Sequence, residues 1–201
     1  MQQQSSRMQS LLNDLLLLAR LETSDHTSDD QYIDVKPMLE SIRKDAQALS
    51  GEQGHQVTLE IEGNTRLHGV EGELRSAFSN LAFNAVKYTP EQGEIKLHWW
   101  SDDAGQHLSV TDNGVGVAPQ HLNRLTERFY RVDSSRSTNT GGTGLGLAIV
   151  QRLASLMHGE FTLESEAGQG TSVFVSLPLT PPHDSAAAQI APASSSRPAV
   201  Q

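Results

Sequence analysis

The sequence predicts an α+β two-layer sandwich, a mixed sheet with about three helices on one face, preceded by one further helix. Three observations carry this. Apolar residues alternate along short runs, most cleanly at Val57, Leu59 and Ile61. Other stretches return to helical period, as at Leu145, Ala148, Ile149, Leu153 and Leu156. The two kinds of segment also follow one another without the regular strand–helix–strand alternation of a parallel fold.

Residues 5–23 read as a helix, with Met8, Leu11, Leu15 and Leu18 at coiled-coil spacing and Leu12, Leu16 and Ala19 widening the stripe. A stripe this wide asks for a helical partner, as in a bundle. Residues 24–31 turn polar and read as a linker, and the main domain is expected over 32–178. It opens with a short strand, "YIDV", and a helix whose first turn suits Pro37 and which runs to about Leu49. "QVTLEIEG" and "TRLHGV" are strands expected to pair with each other, and 71–88 is helical. "GEIKLHWW" and "HLSVTDNG" flank the turn "SDDAG", and "GEFTLESE" and "TSVFVSLP" flank "AGQG", so each pair reads as a hairpin. Residues 179–201 are low-complexity and read as a disordered tail.

Composition narrows the chemistry. The absence of cysteine removes disulfides, thiolate metal sites and cysteine nucleophiles. A formal charge of −9 argues against a duplex-DNA binder working by bulk electrostatics, but not against a nucleotide held with a cation. No run reaches the ~18 residues of apolar sequence that a bilayer requires, and no signal peptide is visible. Taken alone, the chain reads as soluble and cytoplasmic.

The candidate chemistry gathers at four places. "TGGTGLGLAIV" packs Gly141, Gly142, Gly144 and Gly146 in front of a helix, where free N–H groups and the helix dipole suit a phosphate. It is neither a P-loop, having no following Lys, nor a dinucleotide fingerprint, since Leu147 stands where the third Gly would be. A flexible linker is the alternative. Asn80, Asn84 and Lys87 put two amides and an ammonium on one face of the 71–88 helix, and the two amides are either buried and bonded to neighbouring loops or oxygen ligands for Mg²⁺. "DNGVGV" places Asp112 at a strand end with Gly114 and Gly116 behind it. That is an ordinary turn, or a carboxylate able to accept from an exocyclic amine such as that of adenine. "RLTERFYRVD" sets Phe129 and Tyr130 between Arg128 and Arg131, either as core and solvated charge or with Arg131 reaching a terminal phosphate. The polar "SSRSTNT" that follows is long enough to move as a lid.

Taken in chain order, from the Asn80–Lys87 helix through "DNGVGV" and "RLTERFYRVD" to "TGGTGLGLAIV", the four motifs resemble the catalytic and ATP-binding domain of bacterial sensor histidine kinases, within the group that includes type II topoisomerases and Hsp90 chaperones. "NLAFNAVKYTP" is similar to the N box, "DNGVGV" to the G1 box, "ERFYRVD" to the F box, "GGTGLGLAIV" to the G2 box and "GQGT" to the last glycine box. The resemblance spans residues ~5–178 and implies the Bergerat-type ATP-binding fold. "SRMQSLLNDLLLLARLE" is similar to the second helix of the dimerisation and phosphoacceptor hairpin. "LRSAFSNLAFNAV" and "RLTERFYRVDSSRS" are most similar to the phosphate-regulon members.

The resemblance implies ATP and Mg²⁺ as ligands, with Asn84 the main metal ligand and Asn80 assisting. Lys87 and Arg131 would neutralise phosphate, Tyr88 would pack on the adenine, and Asp112 would bind its amino group with help from Thr171. Gly142, Gly144 and Gly146, with Thr143, Leu145 and Leu147, would close over the triphosphate, and Gly114, Gly116, Phe129 and Tyr130 would complete the nucleotide site. It also implies partners: the acceptor-His helix of the parent kinase, a response-regulator receiver domain, and a second copy in the full-length dimer. Nucleic acid is not among them, and the parent would sit on the cytoplasmic face of the inner membrane through N-terminal segments missing here.

Two positions depart from the family pattern. Glu160 follows His158 and Gly159 where a second Gly is common, and none of His26, His55, His68, His98, His107, His121, His158 and His183 has an acceptor context. The chain therefore reads as a truncated kinase lacking its acceptor. Two alternatives compete: a nucleotide-binding regulatory module without kinase activity, and an ATPase of the topoisomerase or chaperone kind. The latter would want a water-activating carboxylate one turn before Asn84, where Asn80 stands and the nearest acid is Glu73.

Overall fold

The computed structural model describes residues 2–23, 31–132 and 142–179, with side chains from residue 8 onward. Of the predicted linker over 24–31 all but residue 31, the polar stretch 134–140, and of the predicted tail over 179–201 all but residue 179 lie outside the described residues. The elements are α1 (Gln2–Thr23), β1 (Gln31–Asp34), α2 (Val35–Ser50), β2 (Gln56–Ile61), β3 (Arg66–Gly69), α3 (Glu71–Tyr88), β4 (Glu94–Ser101), β5 (Gln106–Asp112), α4 (Pro119–Leu122), α5 (Gly146–Leu156), β6 (Glu160–Glu166) and β7 (Gly170–Leu177). Asp34 caps α2 by accepting from the Lys36 N–H at 3.1 Å, which starts the helix ahead of Pro37.

Five strands form a mixed sheet in the order β2–β4–β5–β7–β6, with β2 and β4 parallel and the other neighbours antiparallel. Both predicted hairpins are present. The expected pairing of β3 with β2 is not: β3 pairs with β1, where Ile33 stands opposite Leu67 and both are buried. Alternation assigns a strand's apolar face but not its neighbour. Here the edge of β2 is taken by β4, with Leu59 opposite Leu97.

The register arranges the helix-facing side of the sheet in rows. One row runs Leu59, Leu97, Val110, Val173, Leu163, and another runs Ile61, Trp99, Leu108, Val175, Phe161. Helices α2, α3 and α5 cover this face, and Phe78 of α3 meets Trp99 edge-on at 6.2 Å. At one end the pattern changes: Val57 and Ile95 are continued by Asp112, Thr171 and Ser165. An apolar floor thus becomes polar along a single row, beside the last turns of α3.

The end of α1 docks on α5, with Leu18 and Leu21 buried. Met8, Leu12 and Leu16 remain exposed, so α5 covers only part of the wide apolar stripe.

Candidate functional site

Three predicted residues project from the last turns of α3. Asn80 and Asn84 are half-buried, and among the described residues neither side-chain amide is hydrogen-bonded. Asn80 Oδ1 lies 2.8 Å from where a Cβ on Gly146 would stand, and Lys87 Nζ occupies the corresponding space beside Gly142. A side chain at position 146 would collide with Asn80, and one at position 142 would have to displace the end of Lys87. Lys87 Nζ also sits 4.9 Å from the centre of the half-exposed Tyr88 ring.

At the end of β5, Asp112 Oδ1 accepts from the Gly114 N–H at 2.8 Å, and the Val115 N–H donates to the Tyr88 carbonyl at 3.1 Å. The G1 turn is thereby fastened both to its own carboxylate and to the end of α3. Gly116 passes against the Glu166 carbonyl. Burial pushes the Asp112 carboxyl above its ordinary value, partly offset by backbone N–H groups of Gly114 and Thr171.

That direction has a stability consequence. A carboxyl with a raised folded-state pKa favours folding below its unfolded pKa and loses that contribution as pH rises through the folded value. Asp112→Asn, which keeps an oxygen for Gly114, should therefore melt no lower than wild type at pH 7–8, with the two curves converging toward acid pH. Thermal melts across pH would read this, and a large loss at neutral pH would contradict it.

The glycine segment is tied to the F-box segment through the backbone. The Phe129 N–H donates to the Gly144 carbonyl at 2.9 Å, and Arg131 Nη1 donates to the Gly142 carbonyl at 3.0 Å. Arg131 and Lys87 thus bring two cations to Gly142. Thr143 accepts from the Leu145 N–H at 3.2 Å; Leu145 is fully buried ahead of α5, and Leu147 packs against the core. The side chains of Phe129 and Tyr130 are not brought into this cluster. Phe129 is exposed, and Tyr130 contacts His121 Nδ1 through its hydroxyl and the Arg124 guanidinium through its ring.

Some features were not foreseen. Phe129 has φ 62°, a left-handed conformation that nothing about a phenylalanine announces. Ser165 Oγ accepts from the Val117 N–H at 2.8 Å, donates to the Gly170 carbonyl at 2.9 Å and lies 2.8 Å from Thr171 Oγ1. Its parity with Phe161 and Leu163 is the signal that could have placed it inward. Helix α1 also reaches the site. Thr143 donates to Asp14 Oδ2 at 2.8 Å, Arg128 pairs with Glu22, and Arg152 donates to the Leu21 carbonyl at 3.2 Å. Burial raises the Asp14 carboxyl, and the Thr143 bond partly offsets it. Among the described residues, the metal-compatible group of His and acidic side chains is Glu60, Glu62 and His98. It lies on the opposite sheet face from Asp112, and Glu60 already pairs with Lys96 at 2.7 Å.

Residues 69–181 match the model of the histidine kinase-, DNA gyrase B- and HSP90-like ATPases. The chain is 58% identical to the phosphate regulon sensor protein PhoR of Pseudomonas aeruginosa, covering 86% of this chain and 39% of that protein. It is 43% identical to the protein of the same name from Haemophilus influenzae, over 89% of this chain and 41% of that one. The chain thus spans about two fifths of these relatives. Among solved structures it is similar to full-length ShkA in complex with AMPPNP, with TM-score 0.72 and 32% identity over 89% of this chain and 38% of that one.

Proposed function

This chain belongs to the histidine kinase-, DNA gyrase B- and HSP90-like ATPase family, and on that premise we propose that it is the ATP-binding catalytic part of a sensor histidine kinase. The observation that carries the proposal is the meeting of α3 with the glycine segment. Asn80 and Lys87 fill the spaces left by Gly146 and Gly142, while Arg131 reaches the same segment from the other side. Cations converging on exposed backbone ahead of a helix suit a polyphosphate.

Asp112 and Thr171 take the exocyclic amine of the base, and Tyr88 packs on the ring. Asn84 would hold Mg²⁺ with Asn80 assisting, which fits two amide oxygens that no protein group among the described residues engages. When bound there, Mg²⁺ would supply positive charge against the phosphates. Lys87 and Arg131 spread further positive charge over the phosphates. The proposed reaction breaks the bond between the γ-phosphorus and its bridging oxygen, releases ADP, and forms a phosphorus–nitrogen bond to a histidine of another segment. An imidazole nitrogen attacks with its own lone pair at neutral pH, so no strong base is needed. That agrees with Asn80, not a carboxylate, standing one turn before Asn84, and with Glu73 buried at the far end of α3.

In the parent protein, α1 would be the second helix of a dimerisation hairpin, 32–178 the catalytic domain, and the exposed Met8, Leu12 and Leu16 stripe would meet the hairpin and its second copy. A response-regulator aspartate would receive the phosphoryl group, in phosphate-starvation signalling by similarity to PhoR. No helix among the described residues is long and apolar enough to cross a membrane.

Calorimetric titration of ADP and a non-hydrolysable ATP analogue tests the site. Asn84→Ala should weaken binding roughly tenfold or more with Mg²⁺, about 1.4 kcal/mol, and little without it. A folded chain that binds no adenine nucleotide would overturn the reading. Phosphoryl transfer to an added acceptor-helix fragment then tests the kinase assignment.

A further inference from the structure

We infer that Ser165 fixes the direction of the Thr171 hydroxyl, so that the base end of the site presents only acceptors and selects purines bearing an amino group over those bearing a carbonyl. This rests on the nucleotide reading above. A serine hydroxyl has one proton and two lone pairs, and each has a determined use here. The Gly170 carbonyl can only accept, so the Ser165 proton goes there. The Val117 N–H can only donate, so it takes one lone pair. The contact with Thr171 at 2.8 Å is then satisfied one way: the Thr171 hydroxyl donates to the remaining lone pair of Ser165.

With its proton committed, Thr171 Oγ1 faces the site as an acceptor. It stands directly opposite Asp112 in the β5–β7 register, on the same sheet face. Asp112, ionised to bind a ligand, is also acceptor-only. Two adjacent acceptors match the two hydrogens of a 6-amino group. A 6-carbonyl would meet them lone pair to lone pair, leaving buried polar atoms unpaired, the kind of mismatch on which strong discrimination depends. Without the Ser165 oxygen, the Thr171 hydroxyl is free to turn and donate, and a carbonyl becomes tolerable. Ser165 touches no ligand in this scheme and is a positioning residue acting through Thr171.

The test measures affinities for ADP and inosine diphosphate by calorimetry in wild type, Ser165→Ala, Ser165→Thr and Thr171→Val, with a thermal melt for each. Ser165→Ala should lower the ADP-over-IDP preference about fivefold or more, Ser165→Thr should retain it, and Thr171→Val should lower it by a similar factor. Thr171→Val keeps the test open if Ser165→Ala fails to fold. Equal weakening of both nucleotides, with the preference intact, would reduce Ser165 to a structural role and overturn the inference. Wild type binding neither nucleotide would instead sink the nucleotide reading on which it stands.

Discussion

Asp112→Ala is expected to weaken ADP binding roughly a hundredfold, about 2.7 kcal/mol, the largest functional loss of any single substitution in this chain. Two effects combine. The carboxylate proposed to read the base disappears, and the Gly114 N–H loses its acceptor at 2.8 Å, loosening the turn that Val115 ties to α3. The second effect alone amounts to one hydrogen bond, about 1 kcal/mol, so most of the loss must come from the ligand contact. Calorimetry on the folded variant separates them: a loss within a factor of about five, no more than the turn's single bond could supply, would mean that Asp112 does not read the base. Asp112→Asn, which preserves the Gly114 contact, should share most of the binding defect while keeping its stability.

Gly170→Ala should be strongly destabilising for so small a change, costing about 3 kcal/mol or more. Gly170 has φ 113°, and an added Cβ would overlap the Asp112 carbonyl oxygen and come to 2.9 Å from Asn113 Cα. Both obstacles are backbone, so relief requires parting the strands that hold Asp112 beside Thr171. Gly168→Ala is the matched control. It too has a left-handed φ, 81°, but open space around its Cβ, and should cost only about 1–2 kcal/mol. Denaturant midpoints for the pair isolate overlap from conformational strain. Equal costs would show that the sheet yields easily at this corner.

What was legible before the structure follows from range. Asn80, Asn84 and Lys87 are spaced by the helix itself, so their common face could be read directly, as could the two hairpins with their short turns. The partner of β3 could not, because Leu67 packs inward whether its strand lies beside β1 or β2. The parallel pairing of β2 with β4 is non-local and leaves no mark in either strand. Phe129 is exposed, Tyr130 meets His121 and Arg124, and the contact Phe129 makes with the glycine segment runs through its N–H, which no side-chain pattern announces. Ser165 escaped notice because it looks like one polar residue in an alternating strand. Only the register shows it completing a row with Asp112 and Thr171.

The parallel pair also bears on the order of events when the chain folds. Hairpins β4–β5 and β6–β7 close short loops and can form early, on the microsecond scale of such units, ~1–10 μs. Joining β2 to β4 must enclose the whole of β3 and α3, and such long closures come late. Asn80, Asn84 and Lys87 ride on the enclosed helix, whereas Asp112 and Thr171 belong to the antiparallel part of the sheet. The two halves of the proposed pocket are therefore delivered at different times. A nascent or partly opened chain owns one half without the other, which makes ligand capture a report that the last-closing strand has arrived.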